Sequence, residues 1–456
     1  MRGITPLLAL ACIAVTGCTV PATPRPEGAI VVAPADWRGA DGGAAVQADW
    51  WRSFGDAQLA RLVDMALARN VDIAIAAARV REARAQLGVA RAALLPTLDA
   101  SVGASHSRSV SAFGTPSEGS AVQPVIQAAY EVDLFGRVGD QLSAARDSWL
   151  ASAAARDSAQ LSVAAAMASA YVTLLALDGR RAVVQQTIAS RSEALRLARS
   201  RAGAGYTSQL ELRQAEAEYQ GTATLLPQVD QAIARTENAL RLLTGELPGA
   251  VVRAGTLADL TAPALPDAGV PSQLVRRRPD IAQAELLLAA SDKSLSAARK
   301  QFLPSLRLSA SAGATFATGL PDPVTIWSLG GSILAPLFDG GRLRANVEGA
   351  AARRDQAAFT YRKAALTAFR EVEDALAAIS SLARQRSAAE TQRAAIAEAL
   401  RHATNRYRAG YSSYLDQLDA QRALLSADLS LVQLRADQLT ALVTLYQVLG
   451  GGWTAG

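Results

Sequence analysis

The sequence predicts a mainly α-helical, internally duplicated chain whose four membrane β-strands close into a barrel only when several copies share one wall. Three observations carry this reading. Leu94-Leu95-Pro96-Thr97-Leu98 returns as Phe302-Leu303-Pro304-Ser305-Leu306, and Gly205-Tyr206-Thr207-Ser208 returns as Gly410-Tyr411-Ser412-Ser413, each roughly 205 residues later. Long stretches between turns are crowded with Ala, Leu and Arg, the strongest helix formers, while aromatics make up only 5% of the chain. Four short segments switch from helical spacing to alternation of apolar and polar residues.

The chain has 456 residues, 50% of them apolar, and a net charge of +5 spread as mixed-sign pairs along helical faces. No basic cluster interleaves with aromatics, so nucleic acid is not an expected partner. Met1-Arg2, the apolar run Ile4 to Val15 and the small residues Thr16-Gly17 before Cys18 form a signal sequence over residues 1–17. The run is too short to span a bilayer. Its ending resembles a bacterial lipoprotein lipobox, which implies that Cys18 becomes the acylated first residue, and Thr19 favours the outer membrane. Cys12 leaves with the signal, so no disulfide is expected in the mature chain. No later stretch is read as a transmembrane helix.

Residues 18–55 form a lipid-anchored tether, Pro/Gly/Ala-rich and extended from Pro21 to Asp49. The first repeat, 56–245, opens with one helix from about Asp56 to Leu95, ended by Pro96. Leu98, Ala100, Val102 and Ala104 then alternate with polar residues, a polar loop runs over 107–121, and Ile126, Ala128, Tyr130 and Val132 resume the alternation. A helix of about 64 residues leads to the Gly203/Gly205 turn, and a single helix from Thr207 to Leu243 returns. A Pro/Gly-rich connector with weak strand character spans 246–271. The second repeat, 272–449, restates the pattern, with strands around Leu306–Phe316 and Trp327–Ile333 and a turn at Gly410; a tail follows at 450–456. Each strand is read as about ten residues, enough to cross a bilayer at a tilt.

Four strands cannot stay open in hydrocarbon, because their edge N–H and C=O groups have no partner there. Nor can four curl into a barrel, which needs about eight. Two copies give a filled bore, and three give twelve strands with room for passage.

Three motifs carry a resemblance to a known family. Gly410–Arg422 (GYSSYLDQLDAQR) resembles the helix-turn segment of the TolC-like outer membrane efflux proteins. Leu274–Glu285 (LVRRRPDIAQAE) and Leu445–Trp453 (LYQVLGGGW) resemble its NodT-type lipoprotein branch. The resemblance implies a homotrimer with a twelve-stranded barrel in outer-membrane lipid and a long-helix α-barrel through the periplasm. It implies an exit duct for small toxic compounds, fed by a periplasmic adaptor protein and an inner-membrane RND-type pump. The same duct in a type I protein secretion system is the alternative. A structural periplasmic coiled-coil lipoprotein ranks lower, because the strands are then unexplained.

Asp416 and Asp419 lie three apart on one helix face. Facing inward in a trimer, they crowd six carboxylates, which attracts cations; the resemblance implies a periplasmic gate there. Leu415 or Leu418 beside them is an alternative apolar constriction. Glu211 matches this region in the first copy, and Tyr407 matches another gate position. The family's locking arginine is replaced by Ser412, leaving Arg408, Arg213 or Arg406 as substitutes. The turns Gly203, Gly205, Tyr206, Thr207, Ser208 and Gly410, Tyr411, Ser412 are expected to dock the adaptor. Arg277, Arg278, Pro279 and Asp280 read as mainly structural. No enzyme, cofactor or metal is expected: His106 and His402 lie far apart, and with Cys12 removed and Cys18 acylated no free cysteine is left to join them.

Overall fold

The computed structural model describes residues 24, 26–39, 46–110 and 113–453. Cys18 and the signal sequence lie outside the described residues. The chain divides into two compact units. Of the described residues, one comprises those up to Val31 with those of 79–153 and 283–363, and the other those of 32–78, 154–282 and 364–453.

The first unit holds an antiparallel sheet in the order β1-β2-β3-β4. Its strands are β1 (Thr97–Val110), β2 (Pro116–Val132), β3 (Ser305–Ala317) and β4 (Val324–Leu334). The register aligns Leu98, Ala128, Ala310 and Leu329 in one row, and Asp99, Gln127, Ser311 and Ser328 in the next. Because side chains alternate in a strand, these rows belong to opposite faces. One face carries Leu98, Val102, Ile126, Tyr130, Leu308 and Trp327; the other carries Asp99, Ser101, Glu131, Arg307 and Ser309. Ser311 and Ser328 hydrogen-bond across the polar face at 2.8 Å. The loop read over 107–121 is shorter than expected, since β1 and β2 pair out to Val110 and Pro116. Polar residues on both faces do not disfavour strand where water surrounds them, so the ladder continues past the apolar band.

The helices are α1 (Ala57–Arg69), α2 (Val71–Ala92), α3 (Arg137–Gly203), α4 (Gln209–Ala223), α5 (Leu225–Leu243), α6 (Pro271–Arg277), α7 (Pro279–Lys300), α8 (Arg342–Arg408) and α9 (Tyr414–Val448). Two corrections arise where one helix was expected and two are found. Asn70 takes an extended conformation and its Oδ1 accepts the N–H groups of Asp72 and Ile73, capping α2. Its Nδ2 donates to the Leu243 carbonyl at 3.0 Å, which anchors the break. The second break falls at Thr224, three residues before Pro227, which has no N–H to give the Ala223 carbonyl. α3 and α8 have 67 residues each, about 100 Å of helix at about 1.5 Å per residue. Contrary to expectation, a window of α3 is apolar enough to cross a bilayer by composition; 61% of it is buried within the protein.

That burial belongs to the core of the second unit, where Leu59, Val63, Tyr171, Leu174, Leu240 and Leu442 meet. The stretch read as tether ends inside this core. Trp50–Phe54 forms a 3-10 turn, and Trp50 stacks on Tyr446 with ring centroids 5.3 Å apart. The connector is largely irregular and is tied down by Arg253, which bonds Asp178 at 2.9 Å and Glu237 at 2.5 Å. Two sequence motifs meet in this unit. Arg278 is buried; it pairs with Asp280 at 2.7 Å and Glu371 at 2.8 Å, and donates to the Val448 carbonyl at 3.1 Å. Gly450 has a positive φ of 91°, and a Cβ there would collide with the Arg277 carbonyl, so glycine is required twice over.

Candidate functional site

The two helix turns in the second unit are built alike. α3 ends with Tyr206 N–H donating to Arg201 O at 2.9 Å and Gly205 N–H to Ala202 O at 3.1 Å. α8 ends with Tyr411 N–H on Arg406 O at 2.9 Å and Gly410 N–H on Tyr407 O at 3.1 Å. This is the Schellman pattern, and Gly205 and Gly410 take the positive φ it needs. Tyr206 and Tyr411 follow at equivalent positions, 85% and 80% exposed. Ser208 caps α4 by accepting the Glu211 N–H. Gly203 is exposed, Thr207 and Ser412 are half-buried, and the Ser412 hydroxyl finds no partner among the described residues.

Behind the turns, Tyr407, Tyr414, Leu418, Leu195, Ala198 and Ala215 form a small core. Tyr407 is buried, its ring 5.6 Å from that of Tyr414, and its hydroxyl donates to Glu211. Thr207 donates to the other carboxylate oxygen. Glu211 and Tyr407 therefore join the first-repeat and second-repeat hairpins. Burial, with the Glu211 carboxylate adding to it, pushes the Tyr407 hydroxyl up to about 12. The cation joining this pair is Arg201, whose guanidinium lies 4.9 Å from the Tyr407 ring centre. Of the substitutes read from sequence, Arg213 instead pairs with Glu216 at 2.7 Å.

Asp416, Asp419 and Leu415 lie on the exposed side of α9, while Tyr414, Gln417, Leu418 and Gln421 are buried on the other. Leu418, only 1% exposed, is packing and not a constriction. Asp419 is 3.7 Å from Arg422, which also bonds Glu218. Glu218 in turn pairs with the buried Arg191 at 2.8 Å, and burial pulls that guanidinium below its usual range against the opposing Glu218 charge. Sequence reasoning missed Arg201 against Tyr407, and the network of Arg191, Glu218 and Arg422. The repeat was the available signal, since Glu218 and Arg422 stand almost one repeat apart. His106 bonds Ser120 and Glu118 within the sheet, and His402 sits 3.1 Å from Glu398 on α8. Among the described residues no three His, Cys, Asp or Glu side chains gather as a metal site.

The model of the family described as outer membrane efflux protein matches residues 62–246 and 270–451. The chain belongs to the outer membrane efflux protein family. Among curated members of this family it is 35% identical to the pyoverdine export outer membrane protein OpmQ of Pseudomonas aeruginosa, covering 97% of this chain and 96% of that one. It is also 35% identical to the toluene efflux pump outer membrane protein TtgC of Pseudomonas putida, over 90% of this chain and 86% of that one. The solved outer-membrane channel OprN aligns with a TM-score of 0.88 at 28% identity, covering 95% and 99% of the two chains. The Campylobacter jejuni CmeC outer membrane channel aligns at 0.86 and 26% identity, covering 95% of each. Family membership fits four strands combined with two very long helices, and places the chain among transport channels in the outer membrane.

Proposed function

We propose that this protein is the outer-membrane exit duct of a tripartite efflux pump exporting small toxic compounds. It works as a homotrimer with a periplasmic adaptor and an inner-membrane RND-type pump, and carries out no chemical step. The observation that carries the reading is the four-stranded sheet, with one apolar face, one polar face and two open edges. In lipid the apolar face turns outward and the edges of β1 and β4 join those of neighbouring copies, giving twelve strands around a wet lumen. Residues 1–17 are removed, and acylated Cys18 anchors the chain in the outer membrane.

Asp416 and Asp419 from three chains form the acidic ring of the periplasmic gate, with Leu415 beside them. The Glu211–Tyr407 bond latches the two hairpins in the closed state. Tyr206 and Tyr411, exposed beyond Gly203, Gly205 and Gly410 and flanked by Thr207, Ser208 and Ser412, meet the adaptor. The cargoes of the relatives, pyoverdine for one and toluene for another, are those proteins' own, and they favour small cargo over secreted polypeptide here.

The test is a gene deletion complemented by the wild-type chain. Deletion is expected to sensitise cells to amphiphilic compounds without stopping the secretion of any protein. Loss of a secreted protein with unchanged drug tolerance would transfer the duct to type I secretion.

A further inference from the structure

Where β2, β3 and β4 run into their helices, the first unit holds a cavity of about 360 Å³ that the functional reading leaves unused. Glu131, Ser305, Arg307 and Leu334 line it, and the register puts all four on the polar face of the sheet. Its charged groups are unequally satisfied. Arg137 pairs with Glu131 at 2.5 Å, and Lys300 pairs with Asp140 at 2.5 Å. Arg307 is only 4.0 Å from the Glu131 carboxylate already held by Arg137, and stays 64% exposed. Arg342, also on the wall, has no ion pair among the described residues. The other carboxylate on the wall, Asp133, is taken up by the Val138 and Gly139 N–H groups at 3.0 and 2.7 Å, so two guanidinium groups per chain face the cavity without a close ion pair of their own, beside the apolar surfaces of Phe135, Leu303 and Leu334.

We infer that this cavity binds an amphipathic organic anion, its charged head on Arg307 and Arg342 and its hydrocarbon against Phe135, Leu303 and Leu334. Guanidinium groups fork onto carboxylate, sulfate and phosphate oxygens, and a site mixing apolar wall with a few placed charges selects molecules carrying both. The inference rests on the duct reading, which makes the polar face lumenal. The same chemistry describes an anionic cargo and an anionic phospholipid that has entered the duct.

The experiment measures block of single-channel current in planar bilayers by deoxycholate, with the neutral detergent octyl glucoside as comparison. Wild type and R344Q, which removes an exposed arginine outside the cavity, are expected to be blocked alike. R307Q/R342Q is expected to need about tenfold more deoxycholate, with the octyl glucoside response unchanged. Equal block of wild type and R307Q/R342Q, or equal loss in R344Q, would overturn the inference while the current itself upholds the duct. No current from any variant would instead sink the duct reading. Native mass spectrometry of the purified protein separates the sources. Phosphatidylglycerol retained by wild type and lost in R307Q/R342Q assigns the site to lipid, and retention of added deoxycholate alone assigns it to cargo. Retention of neither overturns the site.

Discussion

Replacing Tyr407 by Phe removes one hydroxyl and leaves the ring against Tyr414 and Arg201. What is lost is the hydrogen bond to Glu211. A hydrogen bond to a charged group contributes about 1.5–3 kcal/mol, and the half-buried Glu211 places this one near the lower end. If the bond forms only in the closed state, its loss raises spontaneous opening about tenfold, since about 1.4 kcal/mol is a factor of ten. The assay is open probability in planar bilayers at fixed salt, for Tyr407→Phe, Glu211→Ala and the double variant. The double variant should open no more than the stronger single one, because both remove the same bond. Unchanged opening in both singles, or strictly additive effects, would refute the latch. The tyrosine also sets a pH window. Its hydroxyl titrates at about 12 when folded against about 10 when exposed, so the folded state holds its proton longer. The latch contribution is therefore complete below about pH 10 and is lost as pH rises through about 12. Open probability at pH 7 and pH 9 should match.

Asp416→Ala with Asp419→Ala should weaken channel block by multivalent cations, and an unchanged block removes the acidic ring. Cys18→Ser should abolish labelling by radioactive palmitate; persistent labelling contradicts the anchor. Arg278→Ala removes the partner of Asp280, Glu371 and the Val448 carbonyl; Glu371 keeps Arg370 at 3.9 Å and both carboxylates reach solvent, so the loss is about 1–3 kcal/mol. Its assembly should dissociate at lower temperature on unboiled gels, and wild-type heat resistance would show the clamp to be idle. Gly450→Ala should lower heat resistance too, through both its positive φ and the Arg277 carbonyl.

Periodicity made the long helices and the strand faces legible, because a wrong phase would bury polar rows throughout. The breaks at Asn70 and Thr224 escaped for different reasons. Asn70 looks like an ordinary surface residue until Leu243 supplies its amide partner, whereas Pro227 stands in the sequence as a missing N–H inside otherwise helical spacing. Strand ends were underestimated because polar residues in water give no alternation to read. At the turns, glycine spacing placed the ends of both long helices, while the Schellman hydrogen bonds are seen only in the structure. The Arg201–Tyr407–Glu211 cluster was not readable, since it depends on how two hairpins lie side by side. Motif likeness located Tyr407 and Glu211 without revealing that they touch.

The most direct test of a shared barrel is the stoichiometry of detergent-extracted protein, counted by native mass spectrometry and followed by reconstitution. Three chains per particle, with strand signal in circular dichroism and a steady pore, is the expected result. A lone monomer that still shows its strands and forms no pore would contradict the shared wall.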